Sequence, residues 1–275
     1  MSVSGPTIVR RQLGRRLRQT RIGAGKKIDD VSVSGVVSKA TLHRYESGRV
    51  AVTPGTVLEL SLLYGLDRPT TLSLYELAVG SQSRGWWEDK ETLSATSMGF
   101  YIGLESAASV IQSYMPDVIL GLVQTADYAR EVERAHESDP DEEAVERRVA
   151  IRMQRKEIIF GRTPPVRLQV VLGPGALARQ VGGPAVMAGQ LAHLRELAAD
   201  DRVELRILPW ESGAHAAMAG GFTLMRFEDP DDPTVVYVES AVGSSYFELP
   251  DQVARYARII DHVYPQSVPF EEHPV

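Results

Sequence analysis

Lys39, Ala40, His43 and Arg44 share one side of a short amphipathic stretch, KATLHRYE, and Leu42 and Tyr45 share the other. One side is built to pack, and the opposite side presents an ammonium, an imidazole and a guanidinium as hydrogen-bond donors. Helix signals bracket the stretch. Ser38 is a favoured N-cap, worth about 1 kcal/mol over Ala, and Gly48 stands where a helix ending in a left-handed residue wants glycine. Val37 before the cap and Leu42 four residues after it are spaced to staple the entry of the chain. The plain alternative is a surface helix with a solvated charged side, so the surroundings must decide.

The chain has 275 residues, no cysteine and a formal net charge of −6. Without cysteine, disulfides and thiolate metal sites or nucleophiles are excluded. Nothing in MSVSGPTIVRR resembles a signal peptide, and no apolar run approaches the roughly 20 residues that cross a bilayer. A cytoplasmic, nucleoid-associated address and no membrane partner are therefore expected. The net charge hides a division. Residues 1–85 hold 13 Lys and Arg against 6 Asp and Glu, a balance of +7, and the remainder holds 17 against 30, a balance of −13. A basic first third joined to an acidic remainder suggests a nucleic-acid-binding module carrying a second domain.

TIVRRQLGRRLRQTRI has Val9, Leu13 and Leu17 at four-residue spacing and predicts a helix ended by Gly23 and Gly25. Short helices follow at about 28–34, from Ser38, from Thr53 with Pro54 at its first position, and at about 70–79. Five helices joined by tight turns make an all-helical unit. GSQSRG at 80–85 reads as a linker. Helical patterns return at about 104–114, at 124–135 and from Pro140 with Asp139 as its cap. Only then do strands appear: VRLQVVL and RVELRIL flank a helical segment in a β-α-β unit, and FTLMRF, TVVYVE and SSYFEL read as a meander before a final helix at about 250–263.

The helix at 28–34, the turn and the helix from Ser38 form a helix-turn-helix, and IDDVSVSGVVSKATLHRYESGR resembles the Xre, or lambda-repressor-like, family of regulators over roughly residues 8–80. The resemblance implies that Lys39, Ala40 and Arg44, with His43 nearby, meet base edges of double-stranded operator DNA, and that Lys27, Ser38, Thr41, Ser47 and Arg49 contact phosphate. The chemistry suits this: Lys39 or Arg44 can donate to guanine O6 and N7, and Ala40 can touch a thymine methyl. The resemblance also pairs Glu46 with an arginine of the first helix, here Arg21. The chain departs from the family at Gly35-Val36, where a large apolar residue then glycine is usual. Either the turn shifts by a residue or Val36 supplies the missing core contact.

Residues 86–262 resemble the uncharacterised C-terminal domain that accompanies such heads in many actinobacterial regulators, through YIGLESAAS, GLVQTADYAR, VGGPAVMAGQLAHL, ILPWESGAH and VVYVES. Leu120 replaces a common proline and Pro174 a common glutamate, so no role for that acid transfers. No catalytic motif is visible, the six histidines show no metal-ligand spacing, and GPGALARQVGG lacks the end of a phosphate loop, so no enzyme, metal or cofactor is expected. Trp210, His215, Tyr237 and Glu239 are the candidates for a ligand or partner site. The alternative places Trp210 in the core, His215 in a structural hydrogen bond and Glu239 at the surface. Gln124 and Thr125 are expected to cap or anchor the helix that follows them.

The expected fold is an all-α, five-helix, lambda-repressor-like DNA-binding domain (1–80) and a linker (81–90), then an α+β regulatory domain (91–264), helices first, with a mixed sheet containing a β-α-β unit and a meander, and a flexible tail (265–275). The expected function is a sequence-specific transcriptional regulator acting as a homodimer, with a second domain that senses a small-molecule effector or a partner. The alternative is an antitoxin-like protein that binds a small companion protein and autoregulates its own operon.

Overall fold

The computed structural model describes residues 6–82, 97–136, 138–229, 232–241 and 243–272. Contacts divide the chain into two compact units, 1–107 and 108–275. The expected linker lies almost wholly outside the described residues, and within the first unit a helix over Ser97–Ala107 packs against the first helix.

Unit one holds α1 (Pro6–Gly23), α2 (Ile28–Val33), α3 (Lys39–Glu46), α4 (Pro54–Tyr64), α5 (Arg68–Ser81) and α6 (Ser97–Ala107). Their starts follow from local chemistry. Ser38 accepts from the Thr41 amide, Thr53 from Thr56, and Asp67 from Thr70, each satisfying an orphan donor of a first turn. Asp67 is the signal behind the early start of α5, with Pro69 fitting its first turn. Leu13 and Leu17 of α1, Val31 of α2, Leu42 of α3, Val57 and Leu60 of α4 and Leu74 of α5 close one apolar core. Val36 and Val37 pack against that core from the turn, and Gly35 takes a left-handed φ of 80°. Of the two expectations for this turn, the core contact by Val36 is the one the structure shows.

Unit two is built on a seven-stranded mixed sheet of order β6-β5-β4-β1-β2-β3-β7. The strands are β1 (Val110–Met115), β2 (Arg167–Leu172), β3 (Val203–Ile207), β4 (Phe222–Arg226), β5 (Val235–Ser240), β6 (Gly243–Phe247) and β7 (Val268–Pro269). The first three are parallel, and β4 to β6 form the expected antiparallel meander beside β1. The β1-to-β2 connection carries α7 (Ala126–Arg134) and α8 (Glu142–Gly161). The β2-to-β3 connection carries α9 (Pro174–Ala178) and α10 (Pro184–Ala198), and α11 (Pro250–Val263) precedes β7. Tyr114, Phe222, Leu224 and Val236 form an apolar sheet face against Ile260 and Val263 of α11. On the opposite face Ile111, Leu168, Val170, Leu205 and Ile207 are buried.

Three expectations are corrected. The helix expected over 104–114 ends at Ala107, and 110–115 is the central strand β1, whose β-branched Val110 and Ile111 pair with β2 and β4. A strand therefore precedes the long helices. The cap of α8 is Asp141, accepting from the Glu143 amide at 3.0 Å, not Asp139. The described part of the tail is no loose end: Val268 and Pro269 pair with β3, and Phe270 is 2% exposed. We expect Phe270→Ala to lower the stability of unit two by about 3–5 kcal/mol, read as a lower urea midpoint, whereas a loose tail would leave the midpoint unchanged.

Candidate nucleic-acid interface

Helix α3 is held against α1 by a close backbone approach and a buried ion pair. A Cβ built on Gly14 would lie 2.4 Å from the Tyr45 carbonyl oxygen and 2.8 Å from that of Glu46. Just past α3, Gly48 adopts φ 68°, and a Cβ there would lie 2.7 Å from the Arg11 Cα. Only hydrogen fits at both points. Between them Arg21 clasps Glu46 in a fork, Nε to Oε1 at 2.5 Å and Nη2 to Oε2 at 2.9 Å, with side chains 8% and 5% exposed. Hydrogen bonding to Glu46 raises the Arg21 pKa. Burial, reinforced by the Glu46 charge, pushes the neighbouring Tyr64 phenol up to about 12.

With one face of α3 so committed, Ser38, Lys39, Ala40, His43, Arg44 and Arg49 are exposed and Thr41 and Ser47 are half-buried. Lys27 is exposed at the start of α2. Among the described residues the side chains of His43, Arg44 and Arg49 have no hydrogen-bond or ion-pair partner. Lys39 is engaged, its Nζ 2.6 Å from Asp29 Oδ1 of α2. The Ser47 hydroxyl donates to the Arg44 carbonyl at 3.2 Å. The base-edge candidates thus share one surface, and the phosphate candidates flank it on α2, α3 and the following turn.

The four candidates of unit two are not brought together. Trp210 sits in a short 3-10 turn after β3 and is 73% exposed, so it belongs neither to the core nor to an enclosed mouth. His215 stacks edge-on against Tyr114, ring centroids 5.6 Å apart, with Nε2 3.4 Å from the phenol oxygen. Its Nδ1 accepts from the Ala217 amide at 3.2 Å, a structural hydrogen bond. Burial raises the Tyr114 pKa. Tyr237 neighbours Val236 in β5 and so faces the side of the sheet opposite to Tyr114, where it packs on Tyr246 at 5.3 Å, and Glu239 is exposed at the strand end. Thr125 caps α7 by accepting from the Tyr128 amide, as expected, whereas the Gln124 side chain donates to the Ile119 carbonyl of the preceding segment at 2.6 Å and accepts from Arg152 of α8 at 2.6 Å rather than anchoring α7.

Residues 12–74 match the helix-turn-helix domain family, and residues 99–272, more than half of the chain, match a family described as a domain of unknown function, DUF5753. The chain belongs to the DUF5753 family. No curated protein and no solved structure matches it. A helix-turn-helix domain points to DNA binding and transcription regulation, with α2 and α3 as the motif's two helices. Among the described residues no helix is long and apolar enough to cross a membrane, and no group of three or more acidic or histidine side chains is placed to hold a metal ion.

Sequence reasoning missed Gly14 and the Lys39–Asp29 pair. A glycine in mid-helix gives no local signal of its purpose, because the atom it makes room for lies on another helix. At an open helix position Gly→Ala stabilises by up to about 1 kcal/mol. Gly14→Ala is expected instead to destabilise unit one by about 1–3 kcal/mol through overpacking. Gly23→Ala, where a Cβ would meet nothing within 4 Å, should keep the ordinary sign. Thermal unfolding of both variants checks this, and equal signs would contradict the close approach.

Proposed function

We propose that the protein is a sequence-specific transcriptional regulator of the Xre, lambda-repressor-like kind found in actinobacteria, that it binds operator DNA as a homodimer, and that it is not an enzyme. The observation that carries this reading is the surface of α3. Ala40, His43 and Arg44 point outward from a helix braced by a buried fork and two glycines, so the donors keep one fixed geometry. Lys39, Ala40, His43 and Arg44 read base edges. Lys27, Ser38, Thr41, Ser47 and Arg49 fix register on phosphate. Two heads per site follow from physics: one short helix offers few base contacts, and symmetric half-sites one helical turn apart double the readout.

Unit two, in this reading, senses an effector or a partner. An antitoxin-like role in which unit two holds a small companion protein is favoured by one observation, the exposure of Trp210 and Met218 at 73% and 70%, both in the connection between β3 and β4. Co-purification of a stoichiometric protein from the native host would separate this role from effector sensing.

Genomic fragments retained by the purified protein test the main reading. Binding should weaken steeply between about 50 and 200 mM salt as displaced counterions lose their advantage. Arg44→Ala should relax selectivity at one base pair by about 1–3 kcal/mol while leaving weak, salt-sensitive binding. Salt-indifferent binding, or unchanged selectivity, overturns the assignment.

A further inference from the structure

The sheet face beneath α11 changes character along its width. From β6 to β1 it is apolar, with Phe247, Val236, Leu224, Phe222 and Tyr114 under the helix. In the row that continues from Val236 and Leu224 the same face turns polar, because Gln112, Gln169 and Glu204 stand in register on the three adjacent parallel strands, while Val171 of β2 stays in the apolar cluster. Arg226 donates to Gln112 Oε1 through Nε and Nη2 at 3.1 and 3.0 Å, which turns the Gln112 amide nitrogen toward Gln169. Gln112 donates to Gln169 Oε1 at 2.8 Å, and Gln169 donates to Glu204 Oε2 at 2.9 Å. The row has one direction, from guanidinium to carboxylate, and each glutamine retains one further N–H.

Such a row is costly on central strands, where apolar side chains against a helix would be more stabilising than partly desolvated amides and charges. Positions that break the local packing rule are where function is to be sought. Here the row floors a cleft of about 340 Å³ beside the end of α11. Ile260 and Tyr264 form its wall. That wall is fixed from behind: the Arg206 guanidinium lies 4.6 Å from the Tyr264 ring centre and its Nε donates to Ser267 at 2.8 Å. Arg167 and Asp261, both exposed, stand at the rim, and among the described residues neither has an ion-pair partner.

We propose that this cleft binds a free α-amino acid, whose carboxylate meets Arg167, whose ammonium meets Asp261 and Glu204, and whose side chain lies along Ile260 and Tyr264. A simple anion would have to lie beside Glu204 and Asp261, and a simple cation beside Arg167. A zwitterion satisfies both poles. The volume stands at the lower end of small-molecule sites and suits a ligand of this size rather than a dinucleotide. The proposal deepens the sensing reading of unit two and makes the bound amino acid its effector.

The test uses the full-length protein and pools of the standard L-amino acids, followed by saturation-transfer NMR, with calorimetry on the tightest binder. Its amine and carboxylic acid analogues, each lacking one pole, serve as controls. At least one amino acid should bind, with each analogue weaker by about ten-fold or more, one lost ionic contact of about 1.4 kcal/mol. Arg167→Ala and Asp261→Asn, both at exposed positions, should weaken binding by a similar factor. The absence of binding by any amino acid at millimolar concentration overturns the proposal, as do single-pole analogues that bind equally well or substitutions without effect. Operator affinity measured with and without the amino acid separates the two levels. Binding in the cleft with unchanged operator affinity keeps the site and removes the sensing role. Intact operator binding with an empty cleft removes the site and keeps the regulator.

Discussion

The fork between Arg21 and Glu46 holds the helical unit in the form that its surface needs. A buried ion pair contributes little net stability compared with apolar side chains of the same volume, yet losing one partner strands a charge at a cost of about 3–5 kcal/mol. That asymmetry suits a positioning device. The fork tolerates one arrangement of α3 against α1, and Gly14 and Gly48 let the backbones come close enough for it to form. The apolar core around Leu13, Leu17 and Leu42 supplies cohesion but, being non-directional, does not set the rotation of an eight-residue helix. The polar clasp does.

Unit two uses polar groups differently. The Arg226-Gln112-Gln169-Glu204 row crosses four strands and couples them laterally. Every member keeps at least one partner, so the desolvation penalty is limited, but the row prevents α11 from sealing that end of the sheet. The helix covers the apolar side and leaves a cleft over the polar side. The short strand β7 and the buried Phe270 then fasten the chain's last described turn to β3, next to the cleft wall at Tyr264.

Features decided within a few residues were legible in the sequence. Ser38 and Thr53 cap the helices they precede, Pro250 opens α11, and the alternation in β4 to β6 marks a meander. The pairing of Glu46 with Arg21 was legible through family resemblance, since nothing in the spacing of those residues joins them. Features decided by distant partners were not legible. Val110–Met115 has apolar residues that fit a helix as well as a strand, and only its place between β2 and β4 settles the matter. Tyr237 and His215 each sit near an aromatic ring, but strand order puts them on opposite faces. Gln112 and Gln169 interrupt otherwise apolar strands at the same depth, a signal that was present in VIQSYM and RLQVVL and acquires meaning once the register is known.

The Lys39–Asp29 contact bears on the proposed reading surface, and magnitude decides how. Asp29 lies in the first turn of α2, where the positive end of the helix dipole favours it, and it draws Lys39 sideways from the exposed side of α3. With side chains 62% and 68% exposed, such a pair is worth about 0–1 kcal/mol and is screened by salt. A good base contact is worth about 1–3 kcal/mol of discrimination, so Lys39 can leave Asp29 when a guanine is in reach and return to it otherwise. The contact is therefore compatible with the proposed role of Lys39 but subtracts the pair's free energy from any base contact the ammonium would make. Arg44, which has no such partner among the described residues, would carry no such cost in the same proposed role.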